Sequence, residues 1–416
     1  MKRAMITMIC VLATALSVAT AQGRRPAAVP PEATQVAEAG NAFAADLYAK
    51  LAADEKGNLF FSPSSIHTAL AMTYAGAGGR TAEQMAATLH YKLPAAKLAP
   101  AFGELLKVLN TPRLDWQKKP AYQLCVSNAL WPQKSYPFKA DYTKLVKDSY
   151  GAEIQALDYA TQADQARKTI NDAVAKQTKD KIKNLIPPGL LSAATRLVLT
   201  NAIYFKSNWA EKFHKAATKD KPFTLAPGKT VEVPMMSQKH RFGYLETEDL
   251  QALSMPYWMH DLSMFVILPK KADGLAAVEK KLTANDLSKI LAGVKPEEVQ
   301  VSLPRFKFTS QFRLADTLAK MGMPDAFAAE TADFSGMTTM EKLFISEVIH
   351  KAFVAVDEEG TEAAAATAVI MPGMAAPAPR EPKIFNADHP FLFLIRHNRT
   401  GAILFMGRVA NPKGGE

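Results

Sequence analysis

Asp357-Glu358-Glu359-Gly360-Thr361-Glu362-Ala363-Ala364-Ala365-Ala366-Thr367-Ala368-Val369-Ile370-Met371-Pro372-Gly373-Met374-Ala375-Ala376-Pro377-Ala378-Pro379-Arg380 lies between two strong strand signals. It is too long for an ordinary hairpin loop, and long ordered loops in compact chains are usually functional. Ala363 to Ala366 favours helix by propensity, yet Gly360 breaks the approach. Read at the two-residue period of a strand, one face carries Thr361, Ala363, Ala365, Thr367, Val369 and Met371. The other carries Glu362, Ala364, Ala366, Ala368 and Ile370. The first face has no charge, and no proline interrupts Asp357 to Met371. Such a strip enters the middle of a sheet at little steric or desolvation cost. Pro372 to Pro377 then reads as an exposed segment open to proteolysis. A disordered Ala/Pro-rich loop is the competing reading of the same residues.

Strand signals flank the stretch: Leu343 to Val356 before it, and Phe391 to Ile395 and Ala402 to Val409 after it, the last two joined by the turn Asn398-Arg399-Thr400-Gly401. Further upstream, Arg196 to Phe205, Val231 to Val233 and Leu262 to Leu268 are β-branched and apolar. Val299 to Phe308 alternates and contains Pro304, which predicts an edge or a bend. Helical spacing dominates the first half. It covers Gly40 to Ala53, a helix after Asn58 to Phe61 capped by Ser62 with Pro63 in first position, and a helix opened by a Thr81/Gln84 capping box. Ile170 to Leu185 reads as an amphipathic helix stopped by Pro187-Pro188-Gly189, and Leu314 to Met321 as a helix ending at Gly322. Helices come early and strands late without regular alternation. The fold class is therefore α+β with large, mainly antiparallel sheets.

The 416 residues are 48% hydrophobic and 22% charged, with a net charge of +10. These values exclude disordered, collagen-like and coiled-coil chains. Lys2 and Arg3, the apolar run Ala4 to Val18 and Ala19-Thr20-Ala21 have the pattern of a signal peptide over 1–21, the alternative being a membrane anchor. On this reading 22–36 is a flexible leader and 413–416 a tail, and the protein is secreted to an extracellular space, or to the periplasm of a Gram-negative host. Cys10 leaves with the signal peptide. Cys125 is then alone, in the strand-like Tyr122 to Val126, and reads as a buried structural thiol. No nucleophile elbow, zinc helix, Walker loop or Cys-x-x-Cys pair occurs, and Gly76 to Gly79 reads as a helix–helix turn. No cofactor or metal site, nucleic-acid surface or membrane span is expected. Arg305-Phe306-Lys307 reads as a solvated strand face, and Asn398-Arg399-Thr400 is a glycosylation sequon.

The sequence resembles the serpins over about residues 37–412. Asn58-Leu59-Phe60-Phe61-Ser62-Pro63-Ser64-Ser65-Ile66 resembles the start of the family's buried helix. Leu199-Thr200-Asn201-Ala202-Ile203-Tyr204-Phe205-Lys206, with Trp209 and Phe213, resembles its central strand, although Ser207 stands where the family often has Gly. Ile170-Asn171, Thr178 to Ile182, Leu303 to Phe306, Phe385 to Phe391 and Phe405 to Pro412 follow in order. The resemblance implies three β-sheets, eight or nine helices and an exposed reactive-centre loop, here about 358–382. It also implies suicide inhibition of a serine protease, with cysteine proteases as a second target class. The protease attacks the loop, forms an acyl-enzyme and is trapped as the cleaved loop inserts into the main sheet of a metastable monomer. The chain itself would not be an enzyme.

Carried over residue by residue, the hinge is Glu358, Gly360, Thr361, Glu362, Ala363, Ala364, Ala365 and Ala366. Ser62, Ser65, Asn201 and His350 match the polar shutter where the sheet parts, and Trp209 matches the breach. Counting along the family's usual loop places the reactive bond between Met374 and Ala375, which suits chymotrypsin-, elastase- or subtilisin-like pockets. The stretch from Met374 to Phe385 is longer than usual, so Ala375 or Ala376 are alternative positions, and Arg380 is a late, trypsin-type one. Two other functions compete: a non-inhibitory carrier or chaperone, and a hydrolase using Ser62 or Ser65 with His350. A polyanion-binding surface is compatible with the net charge.

Overall fold

The structure is a computed structural model that describes residues 28–340, 343–361 and 381–414. Its helices are α1 (Pro31–Asp54), α2 (Pro63–Tyr74), α3 (Gly79–Thr88), α4 (Ala95–Leu109), α5 (Ala140–Tyr150), α6 (Tyr159–Gln177), α7 (Leu275–Lys281), α8 (Ala284–Gly293) and α9 (Ala315–Met321). Its strands are β1 (Leu59–Phe61), β2 (Gln123–Pro132), β3 (Glu153–Ile154), β4 (Leu197–Asn208), β5 (Lys219–Ala226), β6 (Lys229–Glu246), β7 (Leu250–Pro256) and β8 (Leu262–Pro269). They continue as β9 (Lys295–Pro304), β10 (Phe306–Arg313), β11 (Glu347–Val356), β12 (Gly360–Thr361), β13 (Lys383–Asn386), β14 (Phe391–His397) and β15 (Ile403–Val409).

Among the described residues the strands form two hydrogen-bonded sheets. One has six strands in the order β10-β11-β12-β4-β2-β3. The other runs β1-β15-β14-β8-β7-β6-β9-β13, with β5 added on β6. Two sheets stand where the resemblance implies three, because β6, at 18 residues, runs through the whole of the second one. Its first part pairs with β5, its middle with β9 and its end with β7. The α+β architecture is as the sequence implies.

Burial explains the layering. β4 is buried along almost its whole length, as a central strand covered on both faces must be. β10 alternates buried and exposed residues, as a strand with one wet face does. The main core lies between the sheets and around α2, whose residues from Ser65 to Thr73 are all buried. A smaller core joins α6 to the outer face of the six-stranded sheet through Trp131, Tyr159, Ile170, Val174, Val198 and Ile349. No described helix is long and apolar enough to cross a membrane.

Several local readings change. α1 starts at Pro31, inside the stretch read as a loose leader, because Ala33, Val36 and Ala37 bury on the core. Thr81 does not cap α3: Gly78 occupies that position, and the Gln84 side chain accepts from the Asp325 amide instead. The helix expected to run to Leu185 stops at Gln177. Lys179 and Asp180 then take positive φ, and the chain returns to α6 through paired bonds between Asn171 and Ile186. Pro304 marks the bend between β9 and β10. Cys125 lies on β2 as expected but is only half-buried.

Candidate functional site: the seam of the six-stranded sheet

β11 and β4 pair in parallel from Glu347↔Val198 to Ala352↔Ile203 and then part. β12 enters the gap at the open end, antiparallel to both neighbours: Thr361 faces Val356 of β11 and Ser207 of β4, and Gly360 faces Asn208. Gly360 is required there. Its φ is +152°, and a Cβ would lie 2.1 Å from the Ser207 carbonyl oxygen. Asp357 shapes the turn into β12, its carboxylate accepting from the Glu359 and Gly360 amides at 2.9 and 3.2 Å.

Trp209 and Tyr257 form the wall of this opening, their rings stacked 4.6 Å apart and 9° from parallel. The Trp209 indole donates to the Asp357 carbonyl at 2.9 Å, and its amide donates to the Glu359 carbonyl at 2.9 Å. The Phe213 amide donates to the Glu358 carbonyl at 3.0 Å. Tyr257 and Thr361 join their hydroxyls at 2.7 Å in a buried bond. The Glu358 carboxylate is buried and accepts from Arg305 Nε at 2.7 Å and Thr218 Oγ1 at 2.5 Å. Burial alone would raise its pKa, but these bonds outweigh it and hold the group below the usual range. Glu359 is lowered in turn by the Lys212 ammonium, 2.6 Å away, with Lys215 at 3.7 Å.

Deeper in the seam the structure brings Ser62, Ser65, Asn201 and His350 together. His350 Nδ1 donates to the Asn201 side-chain oxygen, and its Nε2 accepts the Ser62 amide at 3.0 Å. That arrangement needs the neutral imidazole. Burial pushes its pKa down to about 3. The Asn201 amide donates to Ser65 Oγ and to Asn128 Oδ1, and Ser65 Oγ also reaches Asn128 at 3.2 Å. The Ser62 hydroxyl caps α2, accepting the Ser65 amide at 3.3 Å, and donates to the Leu404 carbonyl at 2.6 Å. One helix and strands β2, β4, β11 and β15 therefore meet in a single polar cluster.

Two members were not anticipated. Asn128 was legible as an amide in the middle of the largely apolar β2, opposite Asn201. Tyr257 carries no local signal, since only the fold brings it to Trp209. The reactive-bond residues Met374 and Ala375, and the hinge residues Glu362, Ala363, Ala364, Ala365 and Ala366, lie outside the described residues. The hydrolase alternative loses its geometry. His350 bonds the Ser62 amide rather than a hydroxyl, and both serine hydroxyls are buried and engaged elsewhere. Among the described residues no group of three or more His, Cys, Asp or Glu is arranged to hold a metal.

The family model for serpins, serine protease inhibitors, matches residues 38–412. An uncharacterized serpin-like protein of Thermococcus kodakarensis is 44% identical, over 91% of this chain and 86% of its own length. The leukocyte elastase inhibitor of Homo sapiens is 41% identical, over 91% and 100%. Among solved structures, human thyroxine-binding globulin complexed with thyroxine superposes with a TM-score of 0.82 at 32% identity, over 92% of this chain and all of its own. The comparisons overturn one expectation. The secreted, extracellular localisation read from residues 1–21 does not stand, because the animal relatives matched include leukocyte elastase inhibitors of several species, which are intracellular proteins. They agree with a protein that acts on proteases as an inhibitor rather than as an enzyme. By fold, by the geometry of the parted sheet and by sequence, the chain belongs to the serpin family of serine protease inhibitors.

Proposed function

We propose that the chain is a suicide-substrate inhibitor of chymotrypsin-, elastase- or subtilisin-like serine proteases, with cysteine proteases as a second target class. The observation that carries this reading is β12, two residues of the hinge already paired between β11 and β4. The next residues in the sequence are Glu362 and four alanines, and the small alanine side chains suit a passage down the seam behind Thr361. The target's serine hydroxyl attacks the Met374 carbonyl carbon, the Met374–Ala375 bond breaks, and the Ala375 amine takes a proton and leaves. An acyl ester then links the protease to Met374. Insertion past the Ser62, Ser65, Asn201 and His350 cluster separates β4 from β11 and drags the esterified protease away before water completes hydrolysis.

The test mixes the full chain with chymotrypsin and with elastase, followed by denaturing gels and mass spectrometry. A complex that survives denaturation, together with a released peptide beginning at Ala375, supports mechanism and register. Cleavage without a complex by either protease, combined with no gain in thermal stability of the cut chain, overturns it and favours a non-inhibitory carrier or chaperone. Such a role has a structural neighbour in thyroxine-binding globulin.

A further inference from the structure

Among the described residues, three exposed large apolar side chains sit on two loops that Arg113 ties together: Leu114 and Trp116 between α4 and β2, and Trp258 between β7 and β8. Single exposed apolar side chains are ordinary, but several brought together mark an interaction surface. The first loop is ordered. Leu114 and Pro120 form an antiparallel bridge, closed by the Ala121 amide donating to the Arg113 carbonyl at 2.8 Å. Above it the Asp115 carboxylate accepts from the Gln117 and Lys119 amides, both at 2.8 Å. Trp116 stands at the tip of this turn and is 83% exposed, with exposed Lys118 and Lys119 directly after it.

The second loop is pinned. Met259 and His260 take φ of +63° and +59°, a region where non-glycine residues persist only if their neighbours hold them. The Arg113 guanidinium donates to the Met259 carbonyl, and the Asn398 side-chain amide donates to the His260 carbonyl at 3.0 Å. The buried Asp261 carboxylate accepts the Arg113 amide at 2.8 Å. Trp258, directly before these residues, is 39% exposed. An indole on a protruding turn with lysines behind it suits a polar–apolar boundary: the ring gains apolar contact at headgroup depth while its N–H stays near water, and the ammonium groups meet lipid phosphates and carboxylates. The net charge of +10 has the sign that such a surface attracts.

We infer that the Leu114, Trp116 and Trp258 patch docks this protein reversibly on membranes bearing anionic phospholipid, with Trp116 entering the headgroup layer and Lys118 and Lys119 meeting the lipid charge. This docking does not depend on the inhibitory reading above.

The test sediments the full chain with vesicles of phosphatidylcholine containing about one third phosphatidylserine, and with vesicles of phosphatidylcholine alone. Partition onto the mixed vesicles should be at least about tenfold stronger and should fall as salt is added. W116A should lose about tenfold at an unchanged thermal midpoint, because the side chain it removes is exposed. K118Q/K119Q should also lose about tenfold, whereas K221Q/K229Q, the same charge loss at exposed lysines of the β5–β6 hairpin, should lose about twofold. Lipid brominated in its acyl chains should quench the emission of the parent chain more than that of W116A. No partition onto the mixed vesicles would overturn the inference and leave the patch to a protein or nucleic-acid partner. Equal partition and quenching for W116A and the parent, or equal losses for the two lysine pairs, would show that net charge alone holds the chain to lipid, and would overturn it as well.

Discussion

The hydroxyls of Tyr257 and Thr361 lie 2.7 Å apart in a fully buried bond, joining the end of the nine-stranded sheet to the first residues of the loop. Tyr257 is held for this by its stack on Trp209 and an edge contact with Phe205. Tyr257→Phe keeps both ring contacts and leaves the Thr361 hydroxyl without its partner. Urea unfolding should show a loss of about 1–2 kcal/mol with an unchanged m-value. A shift below a few tenths would mean that the bond does not anchor the hinge.

Gly360→Val places side-chain atoms against the Ser207 carbonyl in a backbone region that β-branched residues avoid. Insertion should be blocked at its first step. With elastase, the variant should be cut and released, giving more cleaved chain than covalent complex on a denaturing gel. A complex yield equal to that of the parent chain would refute the role given to β12.

Arg305→Met removes the guanidinium from the buried Glu358 carboxylate. Arg305 is 42% exposed, so solvent screening reduces the loss, and about 2 kcal/mol is expected from equilibrium unfolding at pH 7. The sign with pH follows from the lowered Glu358 pKa. Its stabilisation is present above the unfolded carboxylate value and fades as pH falls through the folded one. Parent and variant should therefore converge in acid, and a constant gap down to pH 3 would contradict the pairing.

Three buried imidazoles make the fold acid-sensitive. Burial lowers His67 to about 4, His350 to about 3 and His397 to about 4. Each folded value lies below the unfolded 6.5, so the unfolded chain binds more protons between pH 6.5 and 4, and stability falls as pH drops through that window. The loss is about 1.4 kcal/mol per imidazole per pH unit, or about 3–4 kcal/mol between pH 6 and 5. His389 works the other way: burial lowers it, but Asp388 and the Pro269 carbonyl outweigh this and raise it. His350→Gln should flatten the dependence by about one third. An unchanged slope would remove His350 from the account.

Much of the site was legible because its signals are local. Ser62 caps α2 through a bond three residues long, Pro63 sits at its first turn, and Gly360 occupies a position only glycine tolerates. Readings failed where a distant partner won. Gln84 gives its oxygen to Asp325 rather than completing a box with Thr81, and α6 ends before its proline stop because Asn171 pairs with Ile186. The Pro31 start of α1 was hidden by composition, since its burial comes from packing against the distant core.

The family came from the resemblance of whole motifs, whereas residue type and spacing by themselves determined the α+β class, the start of the buried helix and the small-residue strip that follows Thr361. Those properties depend on steric preference, capping and strand periodicity, all of which act over a few neighbouring residues. Tertiary structure alone decided that Thr361 lies between β11 and β4, that Tyr257 meets it, and that Asn128 completes the cluster around His350. The side-chain partners Asn128–Asn201, Tyr257–Thr361 and Asn201–His350 are separated by 73 to 149 residues, and only sheet register brings their short-range hydrogen bonds within reach.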